Sequence, residues 1–401
     1  MGFYTSPSFF TASAFLVVPA AVLGLTGRSM RAYGMTASCL MMALLFTGNP
    51  QGLAALGVFL TIASLGAYAV HRSWCTEGGA KSLAVYRAAL LSTIVPLVIY
   101  KVGAVFDRDL LGFIGISYIT FKAVQVLIEM RDGLIERMDP LDYLYFLTFF
   151  ATFTSGPIDR SRRFVEDIHA PRPRSDYADL LTRGVMMMFA GAAMQLVLAT
   201  IARGFYDASC APAGTLTLDA LTMPVACREV LRAYGYAAYL FFDFAGYSLM
   251  AMGLGRCFGI AVPANFRAPY IAVDIKDFWN RWHITLSTWL RDFVFMRFVR
   301  MATKRKLFSS RLQTACAAYM VDMALMGAWH GLTVDYLAYG IYHGVLLAVT
   351  EVYQKRSSFH KRHRKEGWYK VASWFVTLQL VVLGFALFSG QVSGLIAAAL
   401  G

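Results

Sequence analysis

The stretch KDFWNRWHITLSTWLRDF, residues 276–293, differs sharply from the sequence around it. It carries five charged residues, one histidine and three tryptophans in 18 positions, whereas the flanking sequence is mostly apolar and uncharged. Such a charge density argues against an ordinary transmembrane helix, and the regular pattern argues against a loop. The interpretation of this stretch therefore decides how the rest of the chain is read.

The composition of the 401-residue chain indicates that its solvent is a lipid bilayer. Only 15% of its residues are charged, whereas soluble proteins carry about 25%. Residues 1–27, 32–70 and 371–401 contain no charged side chain, and one membrane span needs about 20 apolar residues. The sequence predicts an all-α polytopic membrane protein with ten or eleven transmembrane helices, at about 8–26, 33–47, 52–70, 84–105, 110–129, 141–157, 180–203, 230–252, 312–330, 332–352 and 371–390.

Two segments are predicted to be irregular although they lie among apolar sequence. Residues 146–163 run from an aromatic stretch into a Gly-Pro pair and a basic cluster, and residues 261–275 contain two prolines. Irregular backbone at membrane depth must be buried in protein or line a water-filled cavity. We therefore expect re-entrant or interfacial helices around a central cavity.

The net charge of +13 has two possible meanings. Nucleic-acid binding is one, but no aromatic residues are interleaved with the basic clusters in the pattern of an RNA-binding motif, so no nucleic-acid partner is predicted. Cytoplasmic loops that follow the positive-inside rule are the other, and residues 355–370, with seven Lys or Arg and one Glu, fit it. The six cysteines form no CxxC pair, so no metal site is predicted.

Taken as one helix, residues 276–293 are strongly amphipathic. Seven apolar side chains fall on an arc of about 120° and the polar ones lie opposite, with His283 at the border between the two faces. Two interpretations stay open. The helix lies flat in the membrane interface, with tryptophans at headgroup depth, or it dips into the protein and its polar face lines an aqueous cavity.

Among the seven histidines, His330 has the strongest functional signature because it ends an apolar run near the end of a predicted membrane helix. A neutral imidazole is cheaper to bury than a charged lysine and can still accept a proton as a general base. A hydrogen-bonded structural histidine is the alternative. His343 is interpreted as structural, and the membrane-embedded carboxylates Asp243 and Asp322 are expected to have structural partners.

The stretch at 276–299, followed some forty residues later by MGAWHG, resembles the membrane-bound O-acyltransferase superfamily. Residues 115–133, 141–164, 239–253 and 339–353 are most similar to its D-alanyl transfer subgroup, and the resemblance covers about residues 110–390. It implies one integral-membrane acyltransferase domain over residues 1–401, with N-terminal helices at 1–105 and a family core at 106–390. It also implies a multi-pass protein of the bacterial cytoplasmic membrane.

The resemblance further implies roles for individual residues. His330 corresponds to the catalytic histidine of the family, and His283 to a second histidine that faces it across a tunnel joining the two membrane faces. Candidate tunnel-lining residues are Trp329, Ser287, Asn280 and Asp243. Asp322 stands where the family is expected to have an uncharged amide.

The same resemblance implies the substrates and partners. No cofactor would be bound, because the acyl donor is D-alanine on the phosphopantetheine thioester of an acidic carrier protein. The acceptor is a hydroxyl of the cell envelope, or of a relay membrane protein. The residues expected to dock the carrier combine apolar groups with positive charge: Met296, Arg297, Phe298, Val299, Arg300, Lys304, Arg305 and Lys306.

Three alternatives remain open at this point. An ordinary positive-inside loop accounts for the basic part of the docking segment equally well. An acyltransferase of the same superfamily that moves acetyl groups to an exported polysaccharide is the second alternative. The third is a transporter or scaffold with a polar channel and no catalysis, for which His330 would be dispensable.

Overall fold

The computed structural model describes residues 6–76, 78–108, 110–210 and 225–400, and within these ranges it contains helices and no strand. The chain divides into two compact units. The first comprises Met1–Gly191 and Tyr247–Pro263, and the second comprises Ala192–Gly246 and Ala264–Gly401. The prediction of a single acyltransferase domain over residues 1–401 stays a prediction.

The first eight helices follow the apolar runs of the sequence, and their starts are set by local capping. Ser6, Asn49, Ser82 and Asp139 each accept a hydrogen bond from a backbone amide of the first helical turn that follows, which satisfies donors that have no partner within the helix. The helices are α1 Pro7–Leu25, α2 Arg31–Leu45, α3 Pro50–Trp74, α4 Leu83–Val105, α5 Ile116–Arg131, α6 Pro140–Thr148, α7 Ser161–His169 and α8 Arg174–Ala193.

The remaining helices include the candidate functional region. A π-helical segment, Met194–Leu198, joins α8 to α9, and a second π-helical segment, Arg291–Phe295, joins α12 to α13. The helices are α9 Ala199–Cys210, α10 Val225–Cys257, α11 Ile275–Trp279, α12 Ile284–Leu290, α13 Met296–Lys304, α14 Arg311–His330, α15 Val334–Arg356, α16 Ser358–His363, α17 Gly367–Phe388 and α18 Gln391–Leu400.

Within the described ranges, six helices are long and apolar enough to cross a membrane: Pro7–Leu25, Pro50–Trp74, Leu83–Val105, Arg174–Ser209, Cys227–Cys257 and Gly367–Phe388. The all-α polytopic fold is therefore confirmed, while fewer helices meet these criteria than the ten or eleven predicted. Helices α2, α5 and α6 have 15, 16 and nine residues, too short for a perpendicular span. Helices α14 and α15 are long enough, but polar residues such as Asp322 and His343 lower their hydropathy.

In the first unit, polar side chains on one face of α5 donate hydrogen bonds to residues 146–163, the segment predicted to be irregular. Lys122 Nζ lies 3.0 Å from both the Phe146 carbonyl oxygen and the Thr152 hydroxyl. Gln125 Nε2 donates to the Asp159 carbonyl at 3.3 Å. Unsatisfied backbone groups are costly in an apolar environment, so these side chains allow the chain to leave helical geometry after Thr148.

In the second unit, α14 and α15 form an antiparallel hairpin whose backbones meet at glycines. A Cβ on Gly340 would lie 2.5 Å from the Met323 carbonyl oxygen and 2.9 Å from Gly327 Cα. Small residues of this kind let two helices approach closely. The contact fixes the end of α14, where His330 is the last helical residue.

The expectation that residues 276–293 form one helix is wrong. Helix α11 ends at Trp279, residues 280–283 form a turn, and α12 begins at Ile284. Helix α11, with five residues, is too short to span a bilayer, whereas α12 continues without a break through the π-helical segment into α13. Residues 261–275 are irregular as predicted, apart from one 3₁₀ turn at Pro269–Ile271.

We predict that Gly340→Val destabilises the protein, since the added atoms meet backbone of α14 that has no free space to move into. Overpacking of this kind typically costs about 1–3 kcal/mol. The free energy of unfolding, followed by thermal unfolding in detergent, should fall by an amount in that range. Gly57→Val is the matched control because a Cβ at Gly57, also within a helix, meets no atom within 4 Å. Equal losses in both variants would contradict the prediction.

Candidate functional site

The position of His283 is set by a segment that is remote in sequence. The Asn265 carbonyl accepts the amide of Ile284 at 2.9 Å. Its side-chain oxygen accepts the amide of Thr285 at 3.4 Å and the Thr285 hydroxyl at 2.5 Å. The first amides of a helix lack intrahelical partners, so Asn265 caps α12 from outside. His283, just before α12, has φ 43° and ψ 51°, the left-handed region that non-glycine residues rarely occupy.

The His283 ring is buried among aromatic side chains. Only 3% of the residue is exposed, and neither ring nitrogen has a hydrogen-bond partner among the described residues. Its centroid lies 4.7 Å from the Phe244 ring and 6.3 Å from the Trp329 ring. Burial, and then the positive charge available on nearby His330, lowers the pKa of His283 to about 3. The ring is therefore neutral at physiological pH.

His330 lies at the last position of α14 and keeps part of its surface accessible. Its ring centroid is 4.6 Å from that of Trp329 and 5.0 Å from that of Phe388. Tyr336 and Tyr339 lie slightly farther away, at 6.0 and 6.2 Å. The prediction that His330 ends a helix is confirmed. Because His330 is half-buried, the packed side chains do not cover it completely.

The structure thus brings His283 and His330 together through the indole of Trp329. Sequence analysis assigned no role to the aromatic residues that surround the two histidines, which are Phe244, Tyr336, Tyr339 and Phe388. These aromatic residues come from α10, α15 and α17, far from the quoted stretch in sequence. Aromatic residues make up 14% of the chain, so composition alone could not single these four out.

The other predicted tunnel-lining residues lie in varied surroundings. The Ser287 hydroxyl donates to the Trp282 carbonyl at 3.3 Å. Asn280 is exposed at the end of α11. Asp243 accepts a hydrogen bond of 3.1 Å from Gln195 Nε2, so the expected structural partner is an amide rather than an arginine or hydroxyl. The described contacts place none of these three against the two histidines.

Two further polar groups are buried in the same unit. His343 is fully buried and accepts a hydrogen bond of 3.3 Å from Trp279 Nε1, with the Tyr339 ring 4.6 Å away. This packing agrees with the structural role predicted for His343. Asp322 is 6% exposed, and its Oδ1 has no hydrogen-bond partner within the described part of the chain. The structural partner expected for Asp322 is therefore not found at its Oδ1 atom.

The predicted docking segment forms α13 and the turn after it. Met296, Arg300, Lys304, Arg305 and Lys306 are exposed, whereas Arg297, Phe298 and Val299 are half-buried. The exposed face also includes residues that sequence reasoning missed, namely Met301, Leu307 and Phe308, which are 37%, 52% and 38% exposed. Apolar and cationic groups therefore share one accessible surface, here called the α13 surface.

The arrangement supports proton transfer at His330, whose ring lies among aromatic side chains. A histidine within reach of solvent can accept a proton, and a neutral histidine beside it can donate or accept one hydrogen bond without adding charge. Within the described ranges, no group of three or more His, Cys, Asp or Glu side chains is placed to hold a metal ion. The chemistry available from these side chains is acid–base.

Comparison with known proteins shows to which family the chain is similar. Residues 55–389 match the family described as MBOAT, membrane-bound O-acyltransferase family. The chain is 37% identical to the teichoic acid D-alanyltransferase of Bacillus subtilis (strain 168), over 97% of this chain and 98% of that protein. It is 39% identical to the protein of that name from Streptococcus thermophilus (strain ATCC BAA-250 / LMG 18311), over 75% of this chain and 74% of that protein.

A third protein named teichoic acid D-alanyltransferase, from Lacticaseibacillus rhamnosus, is 33% identical over 96% of both chains. The resemblance in residues 110–390 is thereby confirmed, and it extends into the N-terminal helices, which resembled the family only in hydropathy and length. A family match over most of the chain, together with relatives aligned over nearly their full lengths, establishes that this multi-pass membrane protein belongs to the membrane-bound O-acyltransferase family.

Proposed function

We propose that this protein transfers D-alanine from the phosphopantetheine thioester of an acidic carrier protein to a hydroxyl of teichoic acid, in the bacterial cytoplasmic membrane. The observation that carries the proposal is the accessible His330 imidazole at the end of α14, beside a buried neutral histidine, in a member of an acyltransferase family. The near full-length similarity to proteins named teichoic acid D-alanyltransferase supports the choice of acyl group and acceptor.

In the proposed reaction His330 acts as the general base. A ring nitrogen of His330 accepts the proton of the acceptor hydroxyl while the hydroxyl oxygen attacks the carbonyl carbon of the thioester. The new C–O bond forms, the C–S bond then breaks, and the departing thiolate takes the proton back from the imidazolium. The products are a D-alanyl ester and the free carrier thiol, and a base of this kind contributes typically about 10² to 10⁴ in rate.

We assign His283 a positioning role in this reaction. Its ring is held by the left-handed backbone at 283, by the Asn265 cap on α12 and by the Phe244 ring. A buried, neutral ring with two unpartnered nitrogens can orient a substrate or a water by one hydrogen bond. Correct orientation of two substrates in one site removes much of the entropic cost of their meeting.

The α13 surface is the proposed carrier-docking site. Arg300, Lys304, Arg305 and Lys306 are exposed cations without an ion-pair partner among the described residues, and Met296 adds an exposed apolar group. Such a surface attracts an acidic protein and a phosphate group. Only α12 and the π-helical segment separate His283 from Met296, a path of about 20 Å at 1.5 Å per residue. A flexible phosphopantetheine arm can cover a distance of this order.

We predict that His330→Ala lowers D-alanyl transfer by two to four orders of magnitude, because the hydroxyl loses its proton acceptor. The measurement is transfer of labelled D-alanine from loaded carrier protein by purified variants in detergent or nanodiscs. His363→Ala is the control, since His363 is paired with Glu366 in the basic segment before α17. Unchanged transfer by a folded His330→Ala protein would support a non-catalytic channel instead. Transfer of acetyl rather than D-alanyl groups would support the O-acetyltransferase alternative.

We predict that His283 causes the free energy of unfolding to decrease when the pH is lowered. Because its pKa falls from 6.5 to about 3 on folding, only the unfolded chain protonates this ring between those values. The free energy of unfolding therefore drops as the pH decreases below 6.5, with a contribution of up to about 1.4 kcal/mol per pH unit. His283→Gln removes this contribution, so its thermal-unfolding midpoint should fall less than that of the wild type between pH 7.5 and 5.0. Parallel curves for the two proteins would contradict the prediction.

We predict that the triple charge reversal R300E/K304E/R305E raises KM for the loaded carrier at least ten-fold at low salt and leaves kcat nearly unchanged, because it alters encounter and not chemistry. The difference from wild type should shrink as ionic strength increases. The triple reversal K361E/R362E/K365E, at exposed residues in the other basic segment, is the matched control. An equal effect of both variants would mean that overall charge, and not the α13 surface, attracts the carrier.

A further inference from the structure

A cavity lies in the same unit as the two histidines, towards the other end of α17. It has a volume of about 860 Å³ and is lined by parts of α11, α15, α16 and α17. Its lining residue Tyr369 precedes Phe388, the neighbour of His330, by 19 positions along α17. That separation corresponds to about 30 Å of helix, and the lining residue nearest to Phe388, Leu380, is still about 12 Å away along the helix. The cavity lining includes neither histidine and none of the aromatic residues around them.

One end of the cavity is cationic. Lys355, Arg364 and Lys370 line it, are exposed, and have no ion-pair partner in the described part of the chain. The two carboxylates that also line it each have a partner in the protein. Glu351 pairs with Lys276, and Asp274 accepts a hydrogen bond of 2.9 Å from Gln354 Nε2. The lining therefore holds four Lys or Arg side chains against two carboxylates, and this excess of positive charge favours an anion.

The other end of the cavity is apolar. Its lining residues Val349 on α15 and Val376 and Leu380 on α17 lie six to ten positions farther into the helices than Lys355 and Lys370. At 1.5 Å per residue the lining changes from cationic to apolar over about 10–15 Å. A free phosphate would contact only the cationic end of the cavity, whereas an amphiphilic molecule would contact both ends.

Exposed aromatic residues mark this cavity as a membrane-interface site. Tyr353, Phe359 and Trp368 line it and are 41%, 51% and 54% exposed. Amphipathic aromatic residues concentrate at the headgroup level of a bilayer. Helix α17, which is long and apolar enough to cross the membrane, begins one residue before Trp368 and exposes Val371, Phe375 and Val376 directly after the basic segment.

We propose that this cavity binds an anionic phospholipid, with the phosphodiester headgroup against Lys355, Arg364 and Lys370 and the start of the acyl chains against Val349, Val376 and Leu380. Clusters of cations beside a transmembrane helix bind acidic lipid headgroups in this way. The site lies outside the acyl-transfer reaction. It holds a structural lipid between α15 and α17, the helices whose far ends carry Tyr339 and Phe388 next to His330.

The first test compares lipid retention by native mass spectrometry, on protein equilibrated with equal amounts of phosphatidylglycerol and phosphatidylcholine in detergent. Wild-type protein should retain phosphatidylglycerol preferentially, and the triple variant K355Q/R364Q/K370Q should lose that preference at least ten-fold. The triple variant K361Q/R362Q/K365Q removes the same charge from the same segment at residues that do not line the cavity, and it should behave as wild type. Equal losses in both variants would overturn the proposal.

The second test separates a lipid from a free anion and from a protein. Phosphatidylglycerol should raise the thermal-unfolding midpoint of the wild type, and millimolar inorganic phosphate should not. Val376→Trp, at an exposed residue of the apolar end, should abolish the lipid effect, whereas Val371→Trp, exposed but outside the cavity, should not. Protection by phosphate alone, or carrier-protein binding that K355Q/R364Q/K370Q loses and its control keeps, would overturn the lipid assignment.

Discussion

Asn265 holds the first amides of α12, and the geometry of the candidate site depends on those hydrogen bonds. In lipid, a chain that leaves helical geometry must satisfy its backbone groups from inside the protein. Because the carbonyl and side chain of Asn265 serve this purpose, residues 280–283 can form a turn and His283 can adopt a left-handed conformation. Without that cap, a single continuous helix over 276–293 would carry His283 at its polar–apolar border, as its sequence pattern suggests.

The same constraint operates in the other unit with different residues. Lys122 and Gln125, on one face of α5, supply donors to a backbone that becomes irregular after α6. Charged and amide side chains are expensive to bury unless they are hydrogen-bonded. The backbone groups that they satisfy therefore account for the burial of Lys122 and Gln125.

The two histidines near Trp329 occupy different electrostatic environments, and this difference suits one reaction. His283 is buried and neutral, while His330 retains access from outside. Two charged imidazolium rings on either side of Trp329 would repel each other. After burial, His330 is accordingly the second cause of the lowered pKa of His283. A single proton-accepting group beside a neutral hydrogen-bonding group suits the acyl transfer proposed above.

The sequence by itself determined the membrane class, the all-α fold, the family and the place of His330 at a helix end, because each depends on local hydropathy or on motifs that are contiguous in sequence. It also indicated the irregular segment at 261–275 through its prolines. The break in the amphipathic stretch, the aromatic residues around His330 and the exposed face of α13 were decided only by tertiary structure. Each of these depends on a partner distant in sequence, such as Asn265 for His283 or Phe388 for His330, and helical periodicity carries no information about such partners.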